Sequence, residues 1–368
     1  ISHYNDCGLL PDIRAARVAI FIGSHRAFNE HEIDAIEEFC AAYNGVVFCD
    51  HTSQYHGKYR ILAPLVGAQH QMDLATIKPD LTIHLGEVSG DYYGTKLIGK
   101  DVWRVNNDGI LRDTFGGLTK VFEMSTRSFF DNYVKRREAR EHDSNNGLSN
   151  SEYFDACEQI QDGISSKMPE LPFSNLWVAS QLAGGIPRDS TIHFGILNSL
   201  RSWNFFDLDR SIKTAANVGG FGIDGCFSSL LGASLNDCNN PYFCVIGDLA
   251  FFYDLNAIGN RHLRGNIRIL LVNNGLGTEF KTYKHHTSHF GDSADEFICA
   301  AGHFGRKSRT LVRNLATDLG FDYLCASSKE EFSKVSDRFL DGDTEGKPII
   351  FEVFTDSNEE CNALEKIM

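Results

Sequence analysis

Short apolar runs alternate with amphipathic stretches along this chain, and that alternation predicts the fold class. RVAIFIGSH, Arg17–His25, is rich in Ile and Val and ends in Gly-Ser, the pattern of a parallel strand covered on both faces. NEHEIDAIEEFCAAYN follows, with Ile33, Ile36, Phe39 and Cys40 on one helical face and Asn29 placed to cap the first turn. GVVFCD and LTIHLGE repeat the strand pattern. Strands alternating with helices predict a doubly wound α/β domain within residues 1–134. KRREAREHDSNNGLSN, 135–150, has no apolar period and reads as a surface linker, its KRREAR run as a solvated face. Beyond it STIHFGI, YFCVIGD, IRILLVNN, FDYLCA and PIIFEVF are strand-like, so 151–368 predicts a second α/β domain with a parallel sheet.

Composition narrows the class. Among 368 residues, 42% are hydrophobic and 23% charged, with a net charge of −14. That balance suits a globular protein and excludes a general nucleic-acid binder, which needs a basic face. No apolar run reaches the roughly 18 residues of a membrane span, and none at the start of this sequence reads as a signal peptide. The ten cysteines include no C-x-x-C pair, so they read as reduced thiols of a cytoplasmic protein rather than as a zinc site.

The chemistry gathers where apolar runs end. Gly247-Asp248 follows YFCVI and Asn273-Asn274 follows IRILLV. In a parallel sheet both pairs cap carboxyl ends of strands, where ligands collect, and LAFFYDLNAIGNRHL between them has the length of a helical crossover. An Asp carboxylate, an Asn carbonyl and a backbone carbonyl form a hard oxygen site. Magnesium takes few protein ligands and completes its shell with phosphate oxygens, so the arrangement implies a bound diphosphate. Gly275 and Gly277 let the backbone approach it closely. A second glycine-rich turn, NVGGFGIDG, precedes an apolar helix expected to begin near Ile223, whose N-terminus suits phosphate.

Gly247-Asp248, a spacer of twenty-four residues and Asn273-Asn274 together resemble the motif by which thiamine diphosphate enzymes hold magnesium and diphosphate. GIDG, GDLAFFYDLNA and VNNGLGTEF look most like the SEPHCHC synthases (2-succinyl-5-enolpyruvyl-6-hydroxy-3-cyclohexene-1-carboxylate synthases) of the menaquinone pathway, with GSH, DHTSQYHG and NSL as weaker matches in the expected order. The resemblance implies a middle domain followed by a diphosphate-binding domain. It implies that Asp248, Asn274 and the Leu276 carbonyl ligate magnesium, and that Gly247, Leu249 and Gly277 belong to the same cofactor site. It further makes Ile223 the wedge that bends the cofactor, Gly222 a backbone acceptor for its amino group, and Asn198 and Ser199 neighbours of the diphosphate or substrate. It implies a 2-oxo acid substrate, with 2-oxoglutarate as a donor, and a homodimer or homotetramer. The activating glutamate is expected from an N-terminal pyrimidine-binding domain lacking here, either truncated or a separate chain, which leaves 1–368 silent alone.

The substrate side departs from that pattern. Trp203 and Val218 stand where the family has arginines, Lys96 keeps one member of a middle-domain basic pair beside Thr95, and Glu279 replaces an apolar residue. A guanidinium fork suits a carboxylate and indole does not, so a less anionic acceptor is expected at Lys96, Trp203 and Glu279. A simple 2-oxo acid decarboxylase and a non-catalytic cofactor-binding scaffold stay open as alternatives. The three histidines of KHHTSHF read as surface residues of a segment following the cofactor loop, not as a metal site.

Overall fold

The computed structural model describes residues 1–6, 8–141, 151–218, 220, 222–281, 286–299 and 308–368. They form two compact units, Ile1–Met168 and Pro169–Met368. Each is a parallel sheet with interleaved helices, the doubly wound α/β class expected from the alternation.

The first unit contains β1 (Ser2–Asn5), β2 (Val18–Ile22), β3 (Gly45–Cys49), β4 (Arg60–Leu62), β5 (Leu81–Leu85), β6 (Asp101–Asn106) and β7 (Leu118–Glu123). Their order is β1-β7-β6-β5-β2-β3-β4. Every residue of β2, β3 and β5 is buried, which is why these strands are unbroken apolar runs. β6 carries the fully buried Arg104, whose guanidinium donates to the Gly86 carbonyl at 3.2 Å and lies 3.3 Å from His84 Nδ1. Burial, then the nearby guanidinium, depresses His84 to about 3, so its ring is neutral and accepts that donor.

The helix Glu30–Tyr43 begins at the expected cap. Asn29 Oδ1 accepts from the Glu32 N–H at 3.0 Å while Asn29 N–H donates to the Glu32 carboxylate at 3.1 Å, a reciprocal capping box. The helix Thr126–Glu141 takes in the start of the segment expected as linker. Its KRREAR run is more than a solvated face: Arg136 and Arg140 both donate to Asp12, and Arg136 also donates to the Leu10 carbonyl at 2.6 Å. The rest of that segment, 142–150, lies outside the described residues. The helix Glu152–Ser166 puts Tyr153, Phe154 and Cys157 into the first unit's core. The two units divide at Met168 and Pro169.

The second unit contains β8 (Thr191–Phe194), β9 (Lys213–Ala216), β10 (Tyr242–Gly247), β11 (Ile267–Asn273), β12 (Asp322–Ala326) and β13 (Ile349–Phe354), in the order β12-β13-β11-β10-β8-β9. From β8 the chain moves outward to β9, and from β10 it moves the other way to β11. The carboxyl ends of β8 and β10 therefore flank the switch point, where such sheets bind ligands. The connection between β10 and β11 is a six-residue helix, Asp248–Tyr253, followed by the 3-10 turn Leu255–Gly259, rather than one long helix.

Two glycines of the first unit should respond oppositely to the same substitution. A Cβ on Gly23, just past β2, would sit 1.8 Å from the Glu87 carbonyl oxygen, whereas one on Gly163, inside a helix, meets nothing within 4 Å. Urea titration should show Gly23→Ala destabilising by about 3 kcal/mol and Gly163→Ala stabilising by up to about 1 kcal/mol.

Candidate functional site

Register places the two polar pairs together. In the β10/β11 ladder Gly247 is opposite Val272, so Asp248 and the Asn274 turn leave the sheet side by side. On the other flank of β10, Gly195 follows β8 and its N–H donates to the Val245 carbonyl at 2.7 Å. The three strand ends enclose a cavity of about 110 Å³. Asp248, Asn274, Leu276, Gly247, Leu249 and Gly277 line it, together with Asn198, Ser199, Ile223 and Glu279.

Asp248 is 1% exposed, and its Oδ2 has no hydrogen-bond partner among the described residues. The backbone N–H groups of Leu249 and Gly275 hydrogen-bond the carboxylate, but they do not offset burial, which raises the acid to about 7. Gly275 adopts φ +85°, a left-handed conformation that favours glycine. Asn274 Oδ1 accepts from the Leu276 N–H at 3.1 Å, which fixes the amide, and the Leu276 carbonyl accepts from the Thr278 N–H at 2.9 Å. An orphan carboxylate oxygen beside an amide oxygen and a main-chain carbonyl is a donor set that suits magnesium, a hard cation content with few protein ligands. Among the described residues no group of three His, Cys, Asp or Glu side chains offers a rival metal site.

Asn273, the other half of its pair, works inside the sheet. Its Nδ2 donates to Glu352 Oε1 at 2.7 Å, and Tyr323 Oη donates to Glu352 Oε2 at 2.6 Å. Burial raises the Glu352 acid, and this fully buried group on β13 adds in turn to the upward pressure on Asp248.

Other expected positions fall differently. Gly222 is absent from the cavity lining, and a Cβ there would meet the Asp224 carboxylate at 2.4 Å. The apolar helix begins at Cys226, not near Ile223, because Gly225 holds φ +75° and ends the turn before helical geometry can start. Its first turn is already served: the Ser228 N–H donates to Asp254 Oδ2 at 2.7 Å. Trp203 is 1% exposed and packs on Phe194 with ring centroids 5.6 Å apart, in the core and not in the cavity wall. Lys96 belongs to the first unit, exposed over the Tyr93 ring at 5.2 Å. His286 and His289 are exposed, while Lys284 and His285 lie outside the described residues.

Three features escaped the sequence. Glu279 forms an ion pair with Arg201 in which both side chains are buried, 9% and 3% exposed. The partners are 78 residues apart, and only the adjacency of strand ends could reveal them. Asn175 enters the wall from the helix Asn175–Leu182; its Nδ2 donates to the Asn198 carbonyl at 3.1 Å, leaving Oδ1 buried without a partner among the described residues. Leu197, also in the wall, holds φ 65° and ψ −126°, a conformation that strains a branched residue and has no sequence signature here.

Comparisons with known proteins point the same way as the resemblance. The chain is similar to 2-succinyl-5-enolpyruvyl-6-hydroxy-3-cyclohexene-1-carboxylate synthases from several bacteria. The one from Phocaeicola vulgatus is 30% identical over 267 residues, 72% of this chain and 44% of that protein. The Christiangramia forsetii protein is 34% identical over 188 residues, 51% of this chain and 31% of its own. The Cytophaga hutchinsonii protein is 25% identical over 350 residues, 92% of this chain and 58% of its own. The chain thus spans between 31% and 58% of the length of these curated relatives. No protein-family profile matches it.

The raised acid carries a pH signature in cation-free protein. An acid held at about 7 against an ordinary 3.8 contributes stability that is complete below 3.8 and lost as pH rises through 7. The gap is worth on the order of 4 kcal/mol. Melting temperatures of the chain and of Asp248→Asn, both in chelator, should differ little at pH 4 and diverge toward pH 8, with the variant the more stable; parallel curves would contradict the buried acid.

Proposed function

We propose that residues 1–368 form the middle and diphosphate-binding domains of a thiamine diphosphate- and magnesium-dependent enzyme of the SEPHCHC synthase kind. The reading rests on the orphan oxygen of Asp248 beside the Asn274 turn, and the similarity to SEPHCHC synthases supports it. Asp248, Asn274 and the Leu276 carbonyl would hold magnesium, with Gly247 and Gly277 keeping the backbone clear. Asn198 and Ser199 offer polar contacts from the β8 side, Ile223 and Leu249 supply apolar wall, and Gly222 serves through its loop. When bound, thiamine diphosphate supplies the electron sink that lets a 2-oxo acid lose carbon dioxide and pass the remaining acyl unit to an acceptor.

The complete enzyme in this reading includes a pyrimidine-binding domain beyond 1–368 that carries the activating glutamate, in a homodimer or homotetramer. The chain alone is then inactive. A cytoplasmic location and a place in menaquinone biosynthesis, with 2-oxoglutarate as a donor to test, complete the proposal. The described cysteines are free thiols, which suits a reducing compartment. The Arg201–Glu279 pair favours a second reading, decarboxylation of a different 2-oxo acid, because it removes a cation and adds an acid at the cavity.

Two measurements test this. Calorimetry of the chain with thiamine diphosphate in magnesium buffer should show saturable binding, and Asp248→Ala should weaken it roughly a hundredfold or more; equal binding by the variant would refute the ligand assignment. With the pyrimidine-binding domain supplied, carbon dioxide release from 2-oxoglutarate should yield an acceptor-dependent product with isochorismate. Release unaffected by isochorismate, from pyruvate in preference, would favour the simple decarboxylase.

A further inference from the structure

The turn that follows β8 carries a conformation its residue does not choose. Leu197, at φ 65° and ψ −126°, occupies the region of the first central residue of a type II′ turn, which glycine takes freely and a branched side chain resists. Asn198 and Ser199 come next, open the helix Asn198–Trp203 and line the cavity with Leu197 itself. Such a turn persists only where its surroundings hold it. Main-chain bonds close it from within: the Leu200 N–H donates to the Gly195 carbonyl at 3.0 Å and the Arg201 N–H to the Leu197 carbonyl at 2.8 Å. A side chain reaches it from a different helix, Asn175–Leu182, where Asn175 Nδ2 donates to the Asn198 carbonyl at 3.1 Å. Asn175 is anchored in turn. Its main-chain N–H donates to the two Glu360 carboxylate oxygens at 3.0 and 2.9 Å, and Thr355 Oγ1 donates to the same carboxylate at 2.6 Å. Asn175 is 4% exposed and lines the cavity, with its Oδ1 buried and unpartnered among the described residues. An amide that commits its donor to a strained turn and leaves its acceptor unmet in a ligand cavity is placed for the site rather than for stability.

We propose that Asn175 is a positioning residue: by holding the Asn198 carbonyl it keeps Leu197 in the strained conformation, and so keeps Asn198 and Ser199 at the cavity in the geometry that cofactor binding needs. This deepens the cofactor reading above and rests on it. The energies are commensurate, because one buried hydrogen bond and one strained backbone residue are of the same order. With the amide removed, rotation about Leu197 relieves the strain and the two polar residues leave their places. Glycine at this position adopts the same dihedrals without strain, so the turn no longer depends on the amide.

The test is a double-mutant cycle on Asn175→Ala and Leu197→Gly, read in two ways. In the cofactor-free chain, hydrogen exchange of the peptide spanning Gly195 to Arg201 should be roughly tenfold faster in Asn175→Ala than in the unmodified chain, and Asn175→Ala should change it by less than about threefold in the Leu197→Gly background. Calorimetry with thiamine diphosphate in magnesium buffer should follow the same pattern: Asn175→Ala weakens binding roughly tenfold beside leucine and less than about threefold in the Leu197→Gly background. Asn175→Ala keeps the main-chain bonds to Glu360, so the helix stays anchored. Asn175→Asp, of equal size but with no hydrogen to give the Asn198 carbonyl, should reproduce its effects and serves as the second variant, each chain first shown to melt cooperatively. Equal effects of Asn175→Ala in both backgrounds, no effect beside leucine, or coupling in exchange with cofactor affinity unchanged would each overturn the proposal. Coupling in exchange with thiamine diphosphate bound by none of the chains would instead sink the cofactor reading and leave the hold of Asn175 on the turn standing.

Discussion

One carboxylate oxygen that the protein leaves unsatisfied organises the second unit. Asp248 is buried at the end of a central strand, and its Oδ2 finds no donor among the described residues. Such a group costs free energy unless a cation or a proton reaches it. In the neighbouring turn a Gly275 N–H reaches that acid, and Asn274 is held by the Leu276 N–H. The strained Leu197 in the same cavity wall and this orphan acceptor are the signs of a site kept for a ligand rather than for stability.

The surrounding polar groups divide into structural and available ones. Asn273 Nδ2 and Tyr323 Oη both donate to Glu352 inside the sheet, and Asp254 takes a free N–H at the start of the Cys226 helix. Asp248, Asn175 and Glu279 instead line the cavity, and Arg201 pairs with Glu279. A buried ion pair is weak support for stability.

Much of this was legible in sequence where one physical demand acts alone. Strands buried on both faces must be apolar throughout, so β2, β3, β5, β10 and β11 stood out, and a polar pair at the end of two such runs marked the ligand end of the sheet. Asn29 was recognisable because capping is a local hydrogen bond. The rest needed the third dimension. β6 hides behind Arg104, which can be buried because His84, the Gly86 carbonyl and the Glu87 carboxylate receive it. β9 is a short edge strand, Lys213–Ala216, with too little burial to impose a pattern. Trp203 looked like a changed substrate contact, yet its neighbour Phe194 holds it in the core. Arg201 and Glu279 meet through strand order alone, and the strained Leu197 has a residue type that predicts the opposite backbone.

The central claim, that Asp248 and the Asn274 turn grip one divalent ion, is tested most directly by anomalous diffraction from crystals of the chain grown with thiamine diphosphate and manganese, a close mimic of magnesium. The account predicts one strong peak about 2.1 Å from Asp248 Oδ2, Asn274 Oδ1 and the Leu276 carbonyl oxygen. A bound cofactor with its metal peak elsewhere, and Asp248 Oδ2 facing a protein donor, would contradict it.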